Sequence, residues 1–350
     1  MKVKKIVKIT LVSVASLLVA VIVATGLAAL TEHCMAKFYS DGSRAPEAVA
    51  GVSLANWMGA IEDDTLLVNV AIPGSHDAGC KDMMWAYQTQ NTSIAEQLTV
   101  GTRYFDIRVA NDGGNLRVFH ADMLGDDFLP ILSDIRAFLE ANPSECLLLD
   151  FQHFYGGEAE VECKAMTIEA IVSILGDRVV HNNTTRGDLD FVKTLRLGDC
   201  RGKCLVFWGR DDEHLEKDWI FLRNNDDGTR EGSVLHSYYR TEYNTKPSKT
   251  YIAEYLPLYW QQFEKSKGGF FVLQGQLTDG KYVFGPADCE VKHDDNMNEY
   301  VLNLPDDKVQ KVNIVMRDYV TPKKNIATIS LNLRKGNVKE ACRTILDNWL

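Results

Sequence analysis

The chain is short of positive charge: 38 Lys and Arg stand against 48 Asp and Glu over 350 residues, a formal net charge of -10. That balance leaves no basic footprint for a nucleic acid partner. It also removes long-range attraction to anionic lipid, so contact with a membrane needs another device. No G-x-G-x-x-G follows the first strand-like run, which argues against an open dinucleotide-binding sheet. No internal repeat and no low-complexity tract stands out. The C-x3-C pair Cys200 and Cys204 has no matching Cys or His pair nearby, which does not make a zinc site.

One long apolar run is present. Lys2, Lys4, Lys5 and Lys8 precede the uncharged stretch 9–30. At about 1.5 Å per residue this stretch would cross a bilayer core of roughly 30 Å. It predicts a signal-anchor, with a cleaved signal as the alternative, and in both cases an exported globular part with the basic flank inside. Export would permit disulfides among Cys34, Cys80, Cys146, Cys163, Cys200, Cys204, Cys289 and Cys342, but no pairing follows from the sequence. Cys146 and Cys204 sit inside apolar runs and read as buried small hydrophobes. The sequons at Asn91, Asn182 and Asn183 matter only in a host that glycosylates.

Residues 31–56 read as a tether, and 57–350 as one domain. Short apolar runs recur at 65–72, 103–110, 146–152, 203–209, 270–277 and 312–320. They are apolar on both faces, as buried parallel strands are. Helical patterns lie between them. Ile131, Leu132, Ile135, Phe138 and Leu139 share one face, and Asn142-Pro143 ends that helix. Alternating strands and helices predict parallel βαβ units, and six or more of them suit an α/β barrel. An open doubly wound sheet is the alternative.

Active sites of such barrels lie at the C-terminal strand ends. Those ends carry His76 and Asp77, Asp106 and Arg108 on one face of a strand, His120, then Asp150, Gln152 and His153, Arg210, and Asp318. Two imidazoles, an arginine and several carboxylates suit acid-base chemistry on a phosphate ester. One imidazole takes a proton and the other gives one, each supported by a carboxylate, while a guanidinium binds phosphate oxygens.

The stretches "IPGSHDAG", "GTRYFDIRV", "FHAD" and "LPILSDIRAFLEANPSECLLLDFQ" resemble the X domain of phosphatidylinositol-specific phospholipases C, of the bacterial single-domain kind. The resemblance runs from about Trp57 to Asp318 and is specific over its first hundred residues or so; from 155 to 310 it is loose. It implies a distorted, incompletely closed TIM (β/α) barrel, acting as a monomer on a phosphatidylinositol-type lipid at a membrane surface. The implied reaction is attack of the inositol 2-hydroxyl on phosphorus, giving diacylglycerol and inositol 1,2-cyclic phosphate. His76 matches the general base, His120 the general acid, Asp77 the carboxylate behind the acid, Asp318 the partner of the base and Arg108 the phosphate-binding arginine. The calcium-dependent relatives carry acidic groups at the positions of Arg108 and Gln152. Here these are a cation and a neutral amide, so neither metal nor other cofactor is expected. Arg210, Tyr239 and His153 match the head-group pocket. Ser237 stands where an Asp is expected, and His153 where a lysine is found.

Two other functions remain open at this stage: a different barrel phosphodiesterase, such as a glycerophosphodiesterase, and a tethered non-catalytic binder of phosphorylated head groups. Trp85, Tyr87, Tyr238 and Trp260 read equally as membrane-facing rim or core.

Overall fold

The computed structural model describes residues 13–28, 30, 40–155, 160–209, 217–225, 232–238, 247–277 and 285–350. Ten strands follow one another: β1 (Ile72–Ser75), β2 (Tyr104–Asp112), β3 (Asn115–His120), β4 (Met123–Asp127), β5 (Cys146–Tyr155), β6 (Lys203–Trp208), β7 (Ile220–Asn225), β8 (Leu235–Ser237), β9 (Phe270–Gln274) and β10 (Ile314–Arg317). Eight of them form a parallel ring in the order β1-β10-β9-β8-β7-β6-β5-β2, and β2 pairs back onto β1. The expected barrel is present. It is closed rather than incompletely closed, although its seam is short: β1 meets β2 only at Gly74–Tyr104 and Ser75–Phe105. Gly74 makes that seam possible, because a Cβ there would stand 2.8 Å from the Tyr104 ring.

The distortions lie beside the C-terminal end of β2. β3 and β4 extend β2 as an antiparallel flap. A bulge at Gln152 shifts β5, so Ile107 faces Phe151 but Arg108 faces His153. Such an extra residue re-aims the side chains that follow it.

Period-two alternation divides β2 between two environments. Phe105, Ile107 and Val109 point outward into a core shared with the helices Phe128–Ala141 and Glu160–Ile174. Tyr104, Asp106 and Arg108 point inward. Below them the barrel is filled by Leu148, Leu205, Phe207, Phe221, Phe270 and Met316. The helix expected from the 131–139 pattern spans Phe128–Ala141 and ends at Asn142. The base of the barrel is plugged by the turn Leu54–Ala60, whose Trp57 indole donates to the Gly101 carbonyl at 2.9 Å. Cys146 and Cys204 are fully buried core residues, and Trp260 is core rather than rim.

Three readings need correction. The run 65–72 is not a strand. It holds a short turn, Leu67–Asn69, and the strand begins at Ile72 and continues through Pro73-Gly74. Pro73 is tolerated there because the bond it makes uses its carbonyl, which accepts from Arg103 N–H at 3.0 Å. Next, β7 was not foreseen, while the stretch around Ser237, expected on the strand directly after β6, forms β8. The strand after β6 is therefore Ile220–Asn225, and Ser237 lies one strand further on. Finally, the membrane anchor and the localisation built on it are overturned. Residues 13–28 are helical, roughly 24 Å of helix against a core of roughly 30 Å. Among the described residues no helix is long and apolar enough to cross a membrane. The part of the expected span at 9–12 lies outside the described residues.

Candidate active site

Four strands deliver the polar groups to one mouth. His76 and Asp77 follow β1, Asp106 and Arg108 lie on β2, His120 closes β3, and Asp318 follows β10. His76 Nδ1 lies 2.7 Å from Asp318 Oδ1, and its Nε2 lies 3.6 Å from Asp77 Oδ2 and 4.0 Å from Asp106 Oδ2. His120 Nε2 lies 3.6 Å from the same Asp77 oxygen, and its Nδ1 is 2.7 Å from the Tyr87 carbonyl. Asp77 thus stands between both imidazoles rather than behind His120 alone. Its other oxygen pairs with Arg108 Nε, and Arg108 Nη2 lies 3.5 Å from Asp106 and 3.4 Å from His76 Nε2.

The site holds strong fields at little exposure: the side chains of His76, Arg108 and His120 are 12%, 18% and 22% exposed, and that of Asp77 is 0%. Burial alone would make His76 less basic. The charges of Asp77, Asp318 and Asp106 outweigh it and push the imidazole up to about 9. Burial likewise works against an ionised Asp77, but Arg108, His76, His120 and His153 bring it down to about 2. Asp106 and Asp318 lie above the usual carboxylate range because burial dominates there. Neither Asp77 oxygen, though buried, accepts a well-aligned hydrogen bond from the described residues. The carboxylate is held by charge.

His76, Asp77 and Asp106 offer one ligand atom each within 4.8 Å of one another, a set a cation would favour on distance alone. The Arg108 guanidinium already contacts both carboxylates, so a metal ion would meet a fixed positive charge there.

Below the mouth is a buried network that the sequence reading missed in part. Asp150 accepts from Tyr104 Oη at 2.5 Å, Arg223 Nε at 3.0 Å and Gln152 Nε2 at 3.2 Å. Burial raises Asp150 to about 6 in spite of Arg223. Arg223 escaped notice because β7, with an arginine and two asparagines in six residues, lacks an apolar signature. Across the barrel Ser237 Oγ accepts from Gln274 Nε2 at 2.7 Å. His153 is half-buried on β5, opposite Arg108. Arg210 and Tyr239 lie outside the described residues.

A closed parallel barrel with paired imidazoles around an arginine–aspartate pair at its mouth fits the class of barrel phosphodiesterases. Residues 67–209 match the family model "Phosphatidylinositol-specific phospholipase C, X domain". A 1-phosphatidylinositol phosphodiesterase of Listeria monocytogenes is 26% identical over 276 residues, covering 77% of this chain and 82% of that protein. The enzyme of the same name from Staphylococcus aureus is 32% identical over 114 residues, covering 30% of this chain and 36% of its own length. The solved structure of the Listeria phosphatidylinositol-specific phospholipase C shares the fold, with a TM-score of 0.60 at 20% identity over 80% of this chain and 99% of that one.

Proposed function

We propose that this chain is a phosphatidylinositol phosphodiesterase of the phospholipase C type, working without a metal ion. The observation that carries the reading is the arrangement around Asp77. Each imidazole has its Nδ1 committed to a fixed partner, Asp318 or the Tyr87 carbonyl, and both Nε2 atoms face the same carboxylate. Two nitrogens of opposite duty then border one space.

In this reading His76 Nε2 takes the proton of the inositol 2-hydroxyl, and that oxygen attacks phosphorus. Arg108 offsets the charge that builds on the phosphoryl oxygens. His120 Nε2 gives its proton to the departing glycerol oxygen. One phosphorus–oxygen bond forms and one breaks, leaving diacylglycerol and inositol 1,2-cyclic phosphate. Asp318 orients the base, and Asp77 stabilises whichever imidazole carries the charge. The cation a calcium site would supply is replaced by Arg108. The polar ring of Gln152, Arg223, Ser237 and Gln274 borders the space for the head group, to which His153, Arg210 and Tyr239 belong in this reading.

The test gives the full chain phosphatidylinositol vesicles in excess chelator and follows the products by phosphorus NMR. A cyclic phosphodiester signal is expected, and His76→Ala and His120→Ala should each cost at least about 10²-fold, the usual worth of a positioned acid or base. Turnover only after calcium is added would overturn the role of Arg108. No turnover in either condition would move the reading to a binding module.

A further inference from the structure

The chain between β1 and the helix Ile94–Thr99 buries a polar run, Gln88, Thr89 and Gln90, at 4%, 1% and 0% exposure. A loop seldom buries three such residues unless their hydrogen bonds are spoken for. Here they are spent on the ends of the strands that carry the catalytic groups. Gln90 Nε2 donates to the His76 carbonyl at 2.8 Å and the Arg317 carbonyl at 3.3 Å, and its Oε1 accepts from Val320 N–H at 3.0 Å. Thr89 Oγ1 donates to the Asp77 carbonyl at 3.0 Å, and the Thr89 carbonyl accepts from Tyr319 N–H at 2.7 Å. The Gln88 carbonyl accepts from Tyr319 Oη at 2.5 Å. One residue earlier, the Tyr87 carbonyl faces His120 Nδ1 at 2.7 Å, with the Tyr87 ring edge-on to the imidazole.

The β1–β10 ladder ends with His76 N–H donating to the Arg317 carbonyl at 3.0 Å. Beyond that bond the two chains part, each through a non-glycine residue in the left-handed region, Asp77 at φ 42 and Tyr319 at φ 45. Such backbone persists only where its surroundings hold it. The Gln90 amide spans the gap that the ladder leaves, just where the His76 and Asp318 side chains must meet.

We propose that Tyr87–Gln90 is the positioning element of both imidazoles, with Gln90 fixing the His76–Asp318 dyad and the Tyr87 carbonyl fixing the tautomer of His120. This rests on the reading of His76 as base and His120 as acid. A carbonyl only accepts, so Nδ1 of His120 keeps its proton and Nε2 is the nitrogen that exchanges one. No side chain of Tyr87–Gln90 touches substrate in this account; the segment acts through the backbone of its neighbours.

The groups facing His76 are Asp77, Asp106, Asp318 and Arg108. Gln90 is neutral, so Gln90→Met changes no charge, and a change in the pH profile reports geometry. In the full chain this variant should lose about 10- to 100-fold in kcat, the scale of a misplacement of an ångström or less, with KM within about twofold. The acid limb of its pH–rate profile should move to lower pH as the Asp318 contact loosens. Nitrogen-15 NMR of the wild-type imidazoles needs no substrate and should show neutral His120 protonated at Nδ1. That arm stands if phosphatidylinositol proves not to be turned over, and it decides the matter if Gln90→Met does not fold. The proposal is overturned by a folded Gln90→Met protein with wild-type kcat and pH profile, or by a neutral His120 protonated at Nε2.

Discussion

Arg103 stands just before β2 at the base of the barrel, and Arg108 stands at the middle of that strand, at the mouth. Both are paired with carboxylates. Arg103 is fully buried. It donates to Glu145 at 2.8 Å and to the carbonyls of Leu98, Thr102, Leu54 and Ala55, at 2.7–3.1 Å. Every direction of that guanidinium is filled by an acceptor in its plane, so no ligand can compete for it. Arg108 holds Asp77 by charge without alignment, touches Asp106 loosely and looks onto His76. Same residue type, one just before β2 and one on it: one pair is saturated and the other is left with unspent hydrogen-bonding capacity. That spare capacity, more than burial or charge, marks the end at which chemistry is proposed.

The comparison can be broken at four places. Arg103→Met should give the largest effect, a loss of about 3–5 kcal/mol in unfolding free energy, because Glu145 would stay buried without its partner. Activity per folded molecule should hold, and chemical denaturation beside kinetics would read both; adding Glu145→Leu should recover much of the loss. Arg108→Ala should do the reverse, lowering kcat by about 10²–10³-fold with a smaller loss of stability, because His76 and His120 still face the Asp77 carboxylate. A stability loss as large as that of the Arg103 variant would erase the distinction.

Asp318→Asn comes next. His76 sits above its unfolded value near 6.5, so its contribution to stability is complete below that pH and is lost as pH rises toward about 9. Without the Asp318 charge the imidazole pKa falls. Stability should then decline less between pH 6.5 and 9, and the acid limb of kcat/KM should start at lower pH, at a reduced rate. Unchanged slopes in both measurements would exclude Asp318 as the partner of His76. The smallest effect is expected of Gly74→Ala, about 1–3 kcal/mol, since the added methyl presses on Tyr104 at the seam. Its thermal midpoint should fall while the pH profile stays put.

The upper end of the barrel was largely legible in the sequence. "IPGSHDAG" and "FDIR" placed His76, Asp77, Asp106 and Arg108 together because alternation and strand ends are short-range signals. His120 and Asp318 also stood at strand ends, the resemblance supplied their roles, and the structure puts both in contact with the others. The amphipathic helix Phe128–Ala141 was equally plain, since its period repeats over four turns. What stayed hidden has physical reasons. β7 ends in Arg-Asn-Asn, so it builds no hydrophobic signal. Arg103 reads as any charged residue beside a strand; only its distant partners Glu145, Leu54 and Ala55 give it a role. "YQTQ" looks like a polar loop because its bonds close across 12 to more than 200 residues of sequence.

The left-handed residues have one more consequence. Asp77, Ala121 and Tyr319 each directly follow a site residue, His76, His120 and Asp318, and each holds a conformation that glycine would adopt without strain. Glycine at Ala121 is therefore an obvious substitution for a more heat-resistant chain, whereas at Tyr319 it would empty a buried site and lose the bond to the Gln88 carbonyl. At Ala121 it would also let the His120 imidazole wander, because the same freedom that relieves the backbone loosens what it carries. Selection for endurance and selection for turnover pull position 121 in opposite directions.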